Sequence, residues 1–453
     1  MTKVYKFGGA AVKDADGIRN LTRIVLSENE RLLVVVSAIG KTTNELEQIV
    51  ASAWDGRLEE SLSLLEILKV KHYKIIDDLL PVSSAQLCKA ETDKIFLQTD
   101  YLLRHSQDFA SFNAFYDQVV SVGELLSTTI VSFAIAEREA DVRLFNASRI
   151  VRTDAQFRSA NVDMRATAEN VKREMSDFTR VAVIQGFIGG ADGALRTTLG
   201  REGSDYSAAL FANLLNADSL TIWKDVPGIL NADPKRFPQA VLIPRMRYED
   251  AIELSYSGAQ VIHPKTIRPL QNKNIPLYVK PFTDKNASGS VICGQVTEAL
   301  AVPVYIYREN QVLVTVRDTD FGFALEESLS KVFSAIARLH LQVSLVQNSA
   351  ITITVSVTDN QQVDEFIGLL QNEGYRVTYN RQVALITVLG KITPQAIDKV
   401  IDNKDVILSQ TTRNSQKFVV KNEILKQVAP SIAPSIRIVN ERIGKPCRMR
   451  IRY

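Results

Sequence analysis

The sequence predicts an α/β domain with a mainly parallel sheet, followed by smaller α+β units. Three observations carry this. Short apolar runs alternate with helical segments as far as Gly294. One run, RLLVVVS from Arg31 to Ser37, is continuously apolar from Leu32 to Val36, which marks a strand buried on both faces. Beyond about residue 300 the order changes to strand-helix-strand-strand-helix, the pattern of small split βαβ units.

The elements follow in order. Val4–Phe7 is a short strand that meets Gly8-Gly9, and a helix is expected from about Asp16 to Ser27. Arg31–Ser37 is the next strand, and 43–138 is mostly helical, with Leu/Ile periodicity and few glycines. Strands are expected at Asp141–Phe145, Arg180–Phe187, Ser219–Trp223 and Ile275–Val279, with helices between them. Farther on, Val312–Val316 is a strand, Glu326–Leu339 a helix, Gln342–Val346 and Ile351–Val357 strands, Val363–Glu373 a helix and Tyr375–Tyr379 a strand. A similar order recurs from Val383–Leu389 through a helix near Gln395–Ile401, strands at Asp405–Gln410 and Lys417–Val420, and a helix near Ile424–Val428. The basic end, Arg437 to Arg452, alternates with Met449 and Ile451 and reads as a final strand.

A chain of 453 residues corresponds to roughly three domains at about 150 residues each. With 54 basic and 51 acidic residues, the net charge of +3 does not favour a nucleic-acid binder. Cys88, Cys293 and Cys447 are far apart and form no CxxC, and His72, His105, His263 and His340 are scattered. Neither a disulfide framework nor a metal site is expected. No secretory leader or membrane span is expected either. The expectation is a soluble, cytoplasmic protein that binds neither nucleic acid nor membrane.

Three glycine-containing clusters carry chemistry. Lys6-Phe7-Gly8-Gly9 follows the first strand; paired glycines bring backbone N–H groups close to an anion, and a lysine adds charge, although a plain tight turn fits as well. Ser37-Ala38-Ile39-Gly40-Lys41-Thr42-Thr43-Asn44 follows the second strand. It is not a P-loop, because Val35 stands where that pattern needs glycine. A ligand loop and a helix cap from Thr42, Thr43 or Asn44 both remain open. Thr197 to Ser207 reads TTLGREGSDYS and opens a helix. Its hydroxyls, glycines and Arg201 suit an anionic ligand at a helix N-terminus; the alternative is a cap from Ser204 or Asp205.

KFGG at 6–9, SVGELLS at 121–127, QGFIG at 185–189, GREGSDYSAAL at 200–210, WKDVPGILNADP at 223–234 and GAQVIHP at 258–264 occur in this order. Together they resemble the aspartokinases of the amino-acid kinase family, over essentially the whole chain. The resemblance implies a carbamate-kinase-like three-layer domain over 1–296, then two ferredoxin-like ACT domains. The first would span 305–380, completed by 430–453, and the second 381–429. It implies a monofunctional enzyme that moves the γ-phosphoryl group of MgATP to the β-carboxylate of L-aspartate, giving 4-phospho-L-aspartate for lysine, threonine and methionine biosynthesis. A kinase for another carboxylate and a catalytically weak sensor are the alternatives.

The resemblance also assigns residues. Lys6 and Asp205 would be catalytic. Thr43, Glu124, Phe187, Arg201 and Ser204 would hold aspartate, with Arg201 on a carboxylate and Glu124 on the ammonium group. Gly8, Gly9, Lys224, Asp225, Gly228, Leu230, Asp233, Lys235 and Gln260 would serve the nucleotide, with Mg2+ as cofactor and no metal cage in the protein. Ala10, Ala11, Glu202, Leu230 and Gln260 depart from the family pattern; Glu202 must point away or pair with a base such as Arg196. His263 reads as structural. A homodimer through the ACT domains and an amino-acid effector are implied. Ser344 and Ala350 stand where lysine-sensitive members carry acids, so threonine or no effector is expected over lysine.

Overall fold

The computed structural model describes residues 1–139, 141–259, 262–296, 300–318, 325–398, 400–401 and 406–421. Gln260, the helix expected near 424–428 and the C-terminal strand expected to complete the first ACT domain lie outside these residues. The chain divides into two compact units.

The first unit comprises 1–229, 244–248 and 262–294. Its strands are β1 (Thr2–Phe7), β2 (Arg31–Val36), β3 (Val142–Phe145), β4 (Val181–Gln185), β5 (Ile188–Gly190), β6 (Arg196–Thr198), β7 (Ser219–Lys224), β8 (Arg245–Met246), β9 (Leu277–Pro281) and β10 (Ser290–Ile292). Eight of them form one sheet in the order β3-β4-β2-β1-β7-β9-β10-β8. The six from β3 to β9 run parallel, and β10 turns antiparallel to β9. β5 and β6 form a separate antiparallel pair.

The helices are α1 (Ala15–Leu26), α2 (Thr42–Trp54), α3 (Leu58–Leu79), α4 (Val82–Arg104), α5 (Phe112–Val120), α6 (Val122–Ala136), α7 (Ala147–Ile150), α8 (Met164–Glu174), α9 (Gly203–Leu214) and α11 (Pro264–Gln271), whereas α10 (Tyr248–Ser257) belongs, Tyr248 apart, to the second unit. Helix α1 starts where Asp14 accepts the Gly17 N–H at 2.8 Å, and it buries Ile18, Leu21, Ile24 and Val25 along one face. These pack with Leu32, Val34 and Val36 of β2 and with Ile130 and Ile135 of α6. Each fully buried aliphatic side chain contributes about 1.5–3 kcal/mol relative to exposure. The apolar stretch Phe112–Ala136 is long enough to cross a membrane, but most of it is buried inside this unit, and Ser121 divides it into two helices.

The second unit holds 230–243, 249–259 and the described residues from 295 on. Its six strands are β11 (Val304–Asp318), β12 (Val343–Asn348), β13 (Thr352–Thr358), β14 (Tyr375–Leu389), β15 (Val406–Thr411) and β16 (Ser415–Lys421), in the order β12-β13-β11-β14-β16-β15. Helices α12 (Leu325–Arg338), α13 (Gln362–Asn372) and α14 (Pro394–Asp398) accompany them. Three of the expected short strands are parts of two longer ones. Val312–Val316 extends back to Val304, and Tyr375–Tyr379 runs on into Val383–Leu389, so the boundary expected at 380/381 falls inside one 15-residue strand. No glycine or proline interrupts either strand. The pairing of β11 with β14 instead shifts register around Gln311, with Asn310 and Gln382 at positive φ. One half of the sheet buries Val312, Val314, Val332, Phe366 and Leu370; the other buries Ile386, Val388, Val400, Phe418 and Val420.

Candidate active site

The site forms at the carboxyl ends of the parallel strands, where open α/β sheets bind ligands. Strand alternation aims the side chains. Phe7 and Trp223 are register partners on β1 and β7, and their rings stack at 5.9 Å inside the core shared with α1. Lys6 precedes Phe7 and Lys224 follows Trp223, so both lysines emerge on the opposite face of the sheet. Asp205, in the first turn of α9, meets them there. Its Oδ1 pairs with Lys6 Nζ, and its Oδ2 lies 3.7 Å from Lys224 Nζ. Burial alone would push the Asp205 carboxyl up, but the two ammonium groups outweigh it and hold the group below its ordinary range.

The Gly8-Gly9 loop and the 37–44 loop dock on each other. Gly40 N–H donates to Gly9 O at 3.1 Å, and a Cβ on Gly9 would fall 2.7 Å from Gly40 O. Only glycine permits that approach. Lys41 occupies the N-cap of α2, and no side chain caps it, so Thr43 faces the cleft instead of closing the helix. Likewise α9 begins behind Glu202, in left-handed conformation at φ 55, with no side-chain cap. Neither Ser204 nor Asp205 is spent on capping. Gly186 permits the turn to close: a Cβ there would lie 2.5 Å from Ser204 Cβ. Phe187 follows at φ 66, its N–H donating to Ser207 Oγ at 3.0 Å.

Glu124 sits in the first turn of α6 and is 3% exposed. Its Oε1 accepts the Ala38 N–H at 3.2 Å, and Oε2 has no hydrogen-bond partner. Burial pushes its carboxyl up to about 8. A buried, half-satisfied carboxyl is a site for an incoming cation.

These residues share one cleft of about 640 Å³. Lys6, Gly8, Gly9, Thr43, Glu124, Phe187, Arg201, Ser204, Asp205, Lys224 and Asp225 all line it. Gly228 is buried nearby at φ 151 but does not line it. Leu230, Asp233 and Lys235 belong to the second unit. There Leu230 bridges Leu242, and Asp233 accepts the Lys235 N–H at 2.9 Å in a turn. Glu202 lines the cleft with a buried, unpartnered Oε2, while Arg196 bonds Ser121 Oγ at 2.8 Å and the Gln118 carbonyl at 2.5 Å. The expected alternatives for Glu202, pointing away or pairing with Arg196, are therefore both replaced. His263 is structural: it caps α11, its Nδ1 accepting the Lys265 N–H at 3.1 Å. The sequence reading missed Glu47, Tyr116 and Arg158, which also line the cleft; they lie on α2, on α5 and in the loop before α8, outside every recognisable motif.

Residues 1–281 match the model of the amino acid kinase family. The chain belongs to that family. Within it, the chain is 31% identical over 360 residues to the lysine-sensitive aspartokinase 3 of Escherichia coli K12, covering 78% of each protein. It is 30% identical to the bifunctional aspartokinase/homoserine dehydrogenase 2 of Arabidopsis thaliana, over 77% of this chain and 39% of that longer protein. The structure superimposes on Escherichia coli aspartokinase III in complex with aspartate and ADP with a TM-score of 0.81 at 27% identity, covering 95% of this chain and 98% of that one. This family member is an aspartokinase by sequence and by fold.

Proposed function

We propose that this amino acid kinase phosphorylates the β-carboxylate of L-aspartate with MgATP. The observation that carries the reading is the pairing, in one cleft, of a buried unsatisfied carboxyl at Glu124 with the Lys6–Asp205–Lys224 cluster. The ammonium group of an amino acid fits the first, and a polyphosphate fits the second. A carboxylate acceptor is already ionised, so no general base is needed. The barrier lies in bringing two anions together, which positioning and fixed positive charge overcome. Lys6 would neutralise charge on the transferring phosphoryl group, held in place by Asp205. The N-terminus of α9 and the Gly8-Gly9 loop would add N–H donors. Glu124 would take the substrate ammonium group and Arg201 a carboxylate.

Among the described residues no three acidic, histidine or cysteine side chains cluster to cage a metal. That suits Mg2+ carried by the nucleotide phosphates, with few protein ligands. Glu202 and Asp225 line the cleft and are the acids placed to serve it, and the unpartnered Glu202 Oε2 fits such a role. When bound, the ion would shield the phosphate oxygens from the incoming carboxylate.

The second unit is read as two ACT-like halves of one sheet that regulate the enzyme and join it into a homodimer. The bacterial relative is lysine-sensitive by name; in this chain Ser344 and Ala350 replace the acids expected for a lysine ligand. Purified protein incubated with MgATP, aspartate and hydroxylamine should form aspartyl hydroxamate. Product with glutamate but not with aspartate, or none with either, would overturn the reading.

A further inference from the structure

The cleft contains a cation that the proposed reaction leaves without a role. Arg158 lies in the loop between α7 and α8 and lines the cleft together with Arg201 and Glu124. Its φ is 68, a left-handed conformation that disfavours any residue with a Cβ. The buried Asp117 carboxylate imposes it, accepting the Arg158 N–H at 3.2 and 3.0 Å. The same carboxylate accepts the Thr198 N–H and Oγ1–H, each at 2.8 Å. A backbone need alone would be met better by glycine, and a strained residue in a ligand cleft points to its side chain.

That side chain is prepared for an anion. The guanidinium lies 4.4 Å from the centre of the Tyr116 ring, and Tyr116 is fixed by donating to Glu47 Oε1 at 2.5 Å. A guanidinium over a ring face can turn edge donors to a planar carboxylate. Among the described residues no carboxylate forms an ion pair with it. The loop also touches the one bearing the other arginine: a Cβ on Gly200, the residue before Arg201, would lie 3.3 Å from Arg158 O.

We infer that Arg158 is a second guanidinium of the amino-acid subsite and binds the non-reacting α-carboxylate of the substrate jointly with Arg201. This rests on the reading of aspartate as the acceptor. A grip on a group that does not react is equally strong in ground and transition states, so its loss weakens substrate affinity and KM more than kcat.

The test is Arg158→Gly, which removes the side chain and relieves the backbone. By calorimetry, aspartate affinity should fall at least tenfold, affinity for magnesium ADP should change less than twofold, and the melting temperature should stay equal or rise. Arg158→Lys, which keeps the charge but not the planar fork, should fall between. An aspartate Kd within twofold of wild type in Arg158→Gly overturns the inference, as does equal weakening of both ligands or loss of folding. Binding is read without turnover, so wild type that binds aspartate but makes no hydroxamate refutes the kinase reading and still decides this one. Wild type that binds no aspartate overturns both.

Discussion

Arg308 donates a 2.6 Å hydrogen bond from its guanidinium to Ser344 Oγ, and Ser344 donates in turn to the buried Gln311 Oε1 at 2.8 Å. A second guanidinium nitrogen of Arg308 reaches the Tyr256 carbonyl at 3.0 Å. The position where a lysine-binding acid would stand thus already holds a cation of the chain itself. A lysine ammonium arriving there meets like charge, which makes its burial costly. Lysine should therefore inhibit only weakly, and threonine or no effector is favoured. Titration of the hydroxamate assay with each amino acid, at aspartate near KM, checks this. Half-inhibition by sub-millimolar lysine would contradict it.

In the proposed reaction, replacing Lys6 would remove charge where the phosphoryl group transfers. Lys6→Ala should lower kcat roughly a hundredfold or more, about 2.7 kcal/mol of barrier, and change aspartate KM far less. Near-normal kcat would take Lys6 out of the mechanism.

Arg201→Ala and Glu124→Ala should each raise the KM for aspartate strongly and the KM for ATP little. The reverse pattern would mean that the two ends of the cleft have been exchanged in this reading.

Glu124 also predicts a pH dependence. Below about pH 8 the unliganded carboxyl is mostly protonated and offers the substrate ammonium no charge. Aspartate KM should rise as pH falls below 8, by up to about tenfold per unit, and level off above it. Because the folded pKa lies above the ordinary 4.5, the stability due to this carboxyl is fully present below about pH 4.5. It is lost as pH rises through about 8. Glu124→Gln should flatten both profiles; KM measured from pH 6.5 to 9 and thermal melts of the unliganded protein over a wider range test them.

Gly186→Ala should damage the site through shape alone. Its Cβ would overlap Ser204 Cβ and Oγ at 2.5 and 2.7 Å, displacing the first turn of α9. Aspartate affinity and melting temperature should both fall. Unchanged values would show that the turn relaxes without cost.

Much was legible in the sequence because it was local. The RLLVVV run at Arg31–Val36 can be satisfied only by burial on both faces, and the glycines of 6–9 and 200–203 mark loops whose backbones approach a neighbour. The motifs also carried the amino-acid kinase family and most of the cleft wall. What the sequence could not decide depended on distance in space. Fusion of Tyr375–Tyr379 with Val383–Leu389 into one strand follows from pairing with Val304–Asp318, a segment far earlier in the chain. Whether Thr43, Ser204 and Asp205 cap helices or face a ligand was open until Lys41 and Glu202 took the cap positions. The Glu47–Tyr116–Arg158 group had no motif at all. Its members come from three segments that only the packed sheet and its helices bring together, and their strain and stacking exist only in that packing.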